Sequence, residues 1–316
     1  MHPARLFCAV EAAWQLPCAV SSPLPSSVSY SLHWPSCLLP LLFQILSYLR
    51  FLARSGNAHG LHSPFVFSLY AHVINHTGHF RAYDAIEARR QELLADPTRI
   101  EVTDFGAGSR TRAGHTRRLR DIARTAAKQP RLAQLLFRLV NHFRPRTVVE
   151  LGTSLGLTTA YLSAADSRAR VLTFEGCPQT AAVARETFSR LGLAKVELVT
   201  GNLDDTLAPT LAALTQPVDF AFFDGNHRLE PTLRYFELLN QHRTEHSVFV
   251  LDDIHWSAEM EQAWSTVQRH PDVTLTIDLF YIGLVFFRRN QPKQHFTLRF
   301  DYLLDKVLER TRRLSS

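Results

Sequence analysis

Four acidic side chains stand directly behind apolar runs in the second half of the chain. Glu175 follows Val171-Leu172-Thr173-Phe174, Asp224 follows Phe220-Ala221-Phe222-Phe223, and Asp252-Asp253 follow Val248-Phe249-Val250-Leu251. A carboxylate at the carboxyl end of a buried parallel strand faces the crevice where open α/β sheets bind their ligands. Glu175 could accept hydrogen bonds from a vicinal pair of hydroxyls. Asp224, Asp252 and Asp253 would converge at that edge, or each could cap the helix that follows. His227, three residues after Asp224, is of the type that removes a proton from a hydroxyl near neutral pH; its plain alternative is a loop residue. Upstream, Glu150-Leu151-Gly152-Thr153-Ser154-Leu155-Gly156 follows Val148-Val149. Glycines at 152 and 156 permit a tight turn and a close backbone approach, and the free amides of a following helix would receive an anion. The spacing E-x-G-x-x-x-G differs from the G-x-G-x-x-G of dinucleotide sites.

These residues need a frame. After 146 the chain alternates short β-rich runs, at 147–151, 171–174, 196–199, 218–223 and 248–251, with helical stretches at 157–165, 180–191, 207–214 and 231–240. That alternation implies βαβ units and a parallel sheet covered on both faces. A helix at 257–269 follows. Runs at 273–277 and 282–287 then succeed each other with no room for a helix, which implies an antiparallel hairpin at the end of the sheet. Before 146 the pattern is mainly helical: Phe65, Leu69, Val73 and Ile74 recur at helical spacing after the Ser63-Pro64 start signal, further helices are expected at 81–94 and 131–143, and a short strand at 100–105.

With 46% hydrophobic and 20% charged residues, the chain can bury a full core and is not of disordered composition. A net charge of +6 fits an anionic partner but does not select one. Cys8, Cys18, Cys37 and Cys177 form no C-x-x-C pair, so neither a disulfide framework nor a zinc site is expected, and Cys177 reads as a structural thiol. No run reaches the ~20 apolar residues of a membrane span. The nearest, 37–52, is interrupted by Pro40, Gln44 and Arg50 and reads as an amphipathic helix from Leu41. The location expected is cytoplasmic.

The stretch from Val148 through Gly156 resembles the first motif of class I S-adenosylmethionine-dependent methyltransferases, closest to the small-molecule O-methyltransferases of the catechol and caffeoyl-coenzyme A type. The resemblance covers roughly 130–289 and implies a Rossmann-like α/β fold: seven strands, mostly parallel, the last antiparallel, preceded here by a mainly helical N-terminal cap. It implies S-adenosylmethionine as cofactor. Glu150, Gly152, Thr153, Ser154 and Gly156 would hold its methionine part and Glu175 its ribose. Asn202 and Leu203 would border its adenine, with Asn202 equally readable as a turn residue, and Asp224 would lie beside it. Asp224, Asp252 and Asp253 would be metal ligands for magnesium or another divalent cation, and His227 with Asp224 the catalytic pair. The chain departs from that family at Asp253, where the family has Asn, and at His227, where it has a catalytic Lys. Asp-Gly-Asn-His also resembles methyltransferase relatives in which metal use is not a rule. His255 is a candidate supporting group.

The domain reading is an extension at 1–40, disordered or placed before the true start, a helical cap at 41–129, a methyltransferase domain at 130–295 and a tail at 296–316. Asp104-Phe105-Gly106-Ala107-Gly108-Ser109 imitates a cofactor turn but lies outside the βα alternation. Arg110, Arg112, Arg117, Arg118, Arg120 and Arg124 after it could grip phosphate or carboxylate; the plainer reading is a solvated loop and helix face. His59 and His62 could line an acceptor pocket or merely belong to the turn before Phe65. The partner expected is a small-molecule hydroxyl acceptor, with a homodimer also compatible. A nucleic-acid methyltransferase is the first alternative, disfavoured because no aromatics interleave with the arginines and no Asn/Asp-Pro-Pro-Tyr motif occurs. A non-catalytic cofactor-binding protein is the second.

Overall fold

The computed structural model describes residues 38–56, 61–103 and 114–300. The extension before residue 38, His59, the turn at 104–109, Arg110, Arg112 and the tail beyond 300 lie outside them.

The alternating half folds as its pattern dictates. Strands β3 (Thr147–Leu151), β4 (Arg170–Glu175), β5 (Val196–Thr200), β6 (Val218–Phe223) and β7 (Arg243–Asp252) are separated by helices α6 (Leu157–Ala165), α7 (Pro178–Arg190), α8 (Leu203–Ala212) and α9 (Leu229–Asn240). Helix α10 (Ala258–Arg269) precedes β8 (Leu275–Asp278) and β9 (Ile282–Phe286). The strand order is β10-β8-β9-β7-β6-β3-β4-β5. All neighbours pair in parallel except β9, which is antiparallel to both β7 and β8. The expected Rossmann-like sheet is present, and it gains an eighth strand. β10 (Gln294–Thr297) adds itself to β8 from residues that straddle the expected start of the tail.

The central strands read as unbroken apolar runs because both faces are buried. Val148, Val171, Phe220, Phe222, Val248 and Val250 pack on one side with Leu132, Leu135, Leu136 and Leu139 of α5 (Pro130–Phe143). Their chain neighbours Val149, Leu172, Ala221, Phe223, Phe249 and Leu251 pack on the other, with side chains of α8, α9 and α10. Helix α2 (Pro64–Leu69), started by Pro64 and capped by Ser63 Oγ, runs into a π-helical turn at Tyr70–Ile74. Its Val66 and Leu69, with Val73 and Ile74, join the buried cluster of the first face. Helix α1 (Leu38–Arg54) precedes it, and no described helix is long and apolar enough to cross a membrane.

Helix α3 (Ala82–Ala95) and the short α4 (Leu119–Thr125) bury Tyr83, Ile86, Leu93, Leu119 and Ile122 against α5 and α6. Between them, β1 (Arg99–Thr103) pairs antiparallel with β2 (Gly114–Arg118). Part of the arginine run is therefore a strand, hidden in the sequence because Gly-His-Thr-Arg-Arg carries no apolar alternation.

Candidate active site at the carboxyl edge of the sheet

The chain leaves β3 toward β4 and β5, then returns to β6 on the opposite side of β3. The carboxyl ends of β3 and β6 therefore flank the switch point at which such sheets bind ligands. Gly152 sits there with φ +102°, and a Cβ on it would come within 2.3 Å of the Asp224 carbonyl oxygen. Only glycine lets the β3 bend close against β6, and the Asp224 amide donates to the Leu151 carbonyl at 2.9 Å. Gly156, at φ +82°, starts α6 where a Cβ would meet the Phe188 ring at 2.7 Å. Among the described residues, six that are not glycine have left-handed backbone; Ser154, Asn226 and Asp253, which follow β3, β6 and β7, are three of them. Such conformations cost on the order of 1–3 kcal/mol each and concentrate at functional sites.

Glu175 lies beside this bend. Its Oε2 accepts from the Ser154 amide at 2.8 Å and its Oε1 from the Cys177 amide at 2.9 Å. Burial raises its pKa, and these backbone donors oppose the rise. Each carboxylate oxygen can accept a second bond, so capacity for ribose hydroxyls remains. The Gly152 and Thr153 amides both donate to the Phe174 carbonyl, at 3.1 and 3.0 Å, which fixes the bend to the end of β4. Cys177 is a buried free thiol whose Sγ donates to the Glu101 carbonyl, so it ties β1 to the start of α7.

Glu150 has a different position. It is fully buried under the bend, its Oε2 accepting from the hydroxyls of Thr159 and Thr173, while its Oε1 has no partner. Desolvation pushes its pKa up to about 7 against those two hydroxyl bonds. Asn202 caps α8, its side chain accepting from the Asp204 amide at 3.2 Å, and Leu203 is partly buried next to Gly225.

At the ends of β6 and β7, Asp224, His227 and Asp252 each bring one ligand atom within 4.8 Å of the others. His227 Nε2 is 3.7 Å from Asp224 Oδ1, and the imidazole is 30% exposed. Asp253, in its left-handed turn, is not one of that group. Sequence reasoning passed over the residue that dominates this corner. Lys128, in the connection between α4 and α5, sets its ammonium between the two strand-end carboxylates, 3.2 Å from Asp224 Oδ1 and hydrogen-bonded to Asp252 Oδ2. A signal existed: the chain has four lysines among 35 basic residues, and this one immediately precedes the Gln129-Pro130 helix start.

The charges settle accordingly. Burial works against the Lys128 ammonium, but Asp224, Asp252 and Asp253 outweigh it and raise its pKa. Burial also opposes the Asp252 carboxylate, yet Lys128 and His227 hold it below the usual range. Asp224 is driven well up by desolvation, with Lys128 opposing, and Asp253 rises to about 6 through burial and the Asp252 charge. The oxygen donors suit a hard cation, and Asp252 Oδ1 is buried without a partner. The position does not suit one while Lys128 bonds both carboxylates. His255 is turned elsewhere: its ring nitrogens meet Glu261 at 2.9 Å and Asp278 at 2.8 Å.

Residues 149–254 match the family described as a methyltransferase domain, a stretch that runs from β3 to just beyond β7. The chain is similar to a catechol O-methyltransferase of Mycobacterium tuberculosis, 35% identical over 140 residues, covering 42% of this chain and 61% of that protein. It is also similar to a catechol O-methyltransferase of Niastella koreensis, 32% identical over 111 residues, covering 34% and 48%. The chain thus spans less than two thirds of the length of these curated relatives. Among solved structures, the SAH-bound methyltransferase of Podospora anserina superposes with a TM-score of 0.51 at 13% identity, covering 72% of this chain and 97% of that one, which is a likeness of fold. The resemblance to class I methyltransferases of the catechol type, read from the first motif, holds for this stretch.

Proposed function

We propose that this chain is an S-adenosylmethionine-dependent methyltransferase acting on a hydroxyl of a small molecule. The observation that carries the reading is the Glu175 carboxylate, held by the Ser154 amide at the Gly152 bend, with β3 alone between its strand and the β6 that leads to the Asp224–His227 pair.

S-adenosylmethionine, when bound, supplies an electrophilic methyl group on a sulfonium. The chain's own part is to grip and align. Glu175 accepts from the two ribose hydroxyls. The bend from Gly152 to Gly156 and the first-turn amides of α6 receive the amino-acid tail, with Glu150 as a buried support under the bend. Leu203 and the capped start of α8 border the adenine. His227 takes the proton from the acceptor hydroxyl at its imidazole, and the Asp252 carboxylate, held ionised within 4.8 Å of it, steadies the resulting charge, with Asp224 beside both. Little further acid–base help is needed, so catalysis is mainly alignment. Magnesium or another divalent cation enters this reading only if Lys128 withdraws from Asp224 and Asp252.

The small-molecule reading is preferred over nucleic acid because no aromatics interleave with the arginines. Arg117 donates to Thr125 Oγ1 at 2.9 Å, and Arg120 and Arg124 each lie 3.9 Å from Asp121. A homodimer is compatible with this reading, and size-exclusion chromatography would detect one.

Calorimetric titration with S-adenosylhomocysteine tests the reading. Wild type binds at one site per chain, and Gly152→Arg, which cannot fit against Asp224, does not. His227→Ala keeps that binding and loses methyl transfer to a catechol-type acceptor, followed by mass spectrometry. A wild-type protein that ignores S-adenosylhomocysteine sinks the reading.

A further inference from the structure

Two carboxylates that end neighbouring central strands share one cation, and that cation belongs to the chain. The Lys128 side chain is only 12% exposed, and the Asp252 side chain 1%. Its ammonium bonds Asp252 Oδ2, lies 3.2 Å from Asp224 Oδ1, and sits 6.0 Å from the centroid of the Phe222 ring. Pro130 starts α5 immediately after Gln129, so the backbone that carries Lys128 is anchored at the helix start. His227 meets Asp224 as well, through Nε2.

A divalent cation would need these same carboxylate oxygens at roughly 2.0–2.6 Å. An ammonium bonded to both of them sits where that ion would go, and at such range it repels a second cation. The unpartnered Asp252 Oδ1 shows that the donor set is not saturated. Donors are therefore present and the position is taken.

We propose that Lys128 is the resident cation of this centre, neutralising the Asp224–Asp252 pair in place of a divalent metal and excluding the metal while it is seated. The use of the centre rests on the methyltransferase reading; the competition between ammonium and metal does not. The consequence for that reading is a fixed positive charge beside His227, available to an acceptor oxygen as it loses its proton, without added magnesium.

The test is a titration of the full chain with Mn2+, followed by calorimetry and by the electron paramagnetic signal of free Mn2+. Wild type and Lys128→Arg are expected to take up no stoichiometric ion. Lys128→Met is expected to take up one, at least about tenfold more tightly than wild type, and to gain thermal stability from Mn2+ where wild type gains none. Stoichiometric Mn2+ uptake by wild type, abolished by Asp252→Asn, overturns the proposal and requires no Lys128 variant to fold. A Lys128→Met protein with native circular dichroism and no gain in affinity overturns it as well. S-adenosylhomocysteine binding by wild type is measured alongside. Its failure counts against the methyltransferase reading and leaves the Mn2+ comparison standing.

Discussion

The ends of β3 and β4 and the ends of β6 and β7 both hold buried or half-buried carboxylates, but by different means. At β3 and β4 the partners are neutral and local: backbone amides of Ser154 and Cys177 for Glu175, hydroxyls of Thr159 and Thr173 for Glu150. At β6 and β7 the partner is a full charge from far away in the chain, the Lys128 ammonium. Neutral donors fix a carboxylate without satisfying its charge, so burial pushes Glu150 and Glu175 upward. A buried counter-charge keeps Asp252 ionised in a setting that would otherwise protonate it, while Asp224, which shares the same ammonium, is still driven up by burial. The first arrangement suits a rigid cradle. The second suits a centre whose charge balance can be altered by moving one side chain.

The largest way to break this contrast is Lys128→Met. Removing one partner of a buried pair strands the other, and the expected loss of stability is about 3–5 kcal/mol. Adding Asp252→Asn should restore a good part of it, as urea unfolding of the double-mutant cycle would show. Additive losses would mean that Lys128 acts through packing and not through charge.

Glu150→Gln probes the neutral region next. The folded protein holds the Glu150 proton up to about pH 7, while the unfolded chain releases it near the ordinary value of 4.5. Between these values the folded state binds more protons, so stability falls as pH rises through the window. The glutamine variant should match wild type near pH 5 and exceed it at pH 8 by about 2–3 kcal/mol. Parallel melting curves across that range would remove the contrast between the two regions.

Glu175→Gln should weaken S-adenosylhomocysteine about tenfold to a hundredfold, the cost of replacing charged acceptors with a neutral amide, with a much smaller change in unfolding midpoint. An unchanged dissociation constant by calorimetry would detach Glu175 from the ligand. The smallest effect expected is at Asn202, where Ala removes a helix cap and should cost about 1 kcal/mol; a large loss of cofactor affinity there would give Asn202 a binding role beyond its cap.

Much of this was legible in the residues. The strands at Thr147–Leu151 and Val218–Phe223 and the helix at Leu157–Ala165 fall where apolar runs and the glycine turn put them. The boundaries that slipped have local causes. Helix α8 begins four residues before the expected 207 because Asn202 caps it, and β7 extends back to Arg243 through Thr-Glu-His-Ser, which has no apolar pattern. β10 was missed because four residues of mixed polarity become a strand only when β8 offers an edge.

The sequence by itself determined the alternating frame, the bend at Gly152 and the presence of Glu175, Asp224 and Asp252 at strand ends, because periodicity and turn chemistry act over a few neighbouring residues. Only the tertiary structure decided that Glu150 is sealed beneath the bend and that Lys128 reaches carboxylates 96 and 124 residues away. That meeting depends on the order in which strands enter the sheet and on where α5 lies across it, and no short stretch of sequence carries that information.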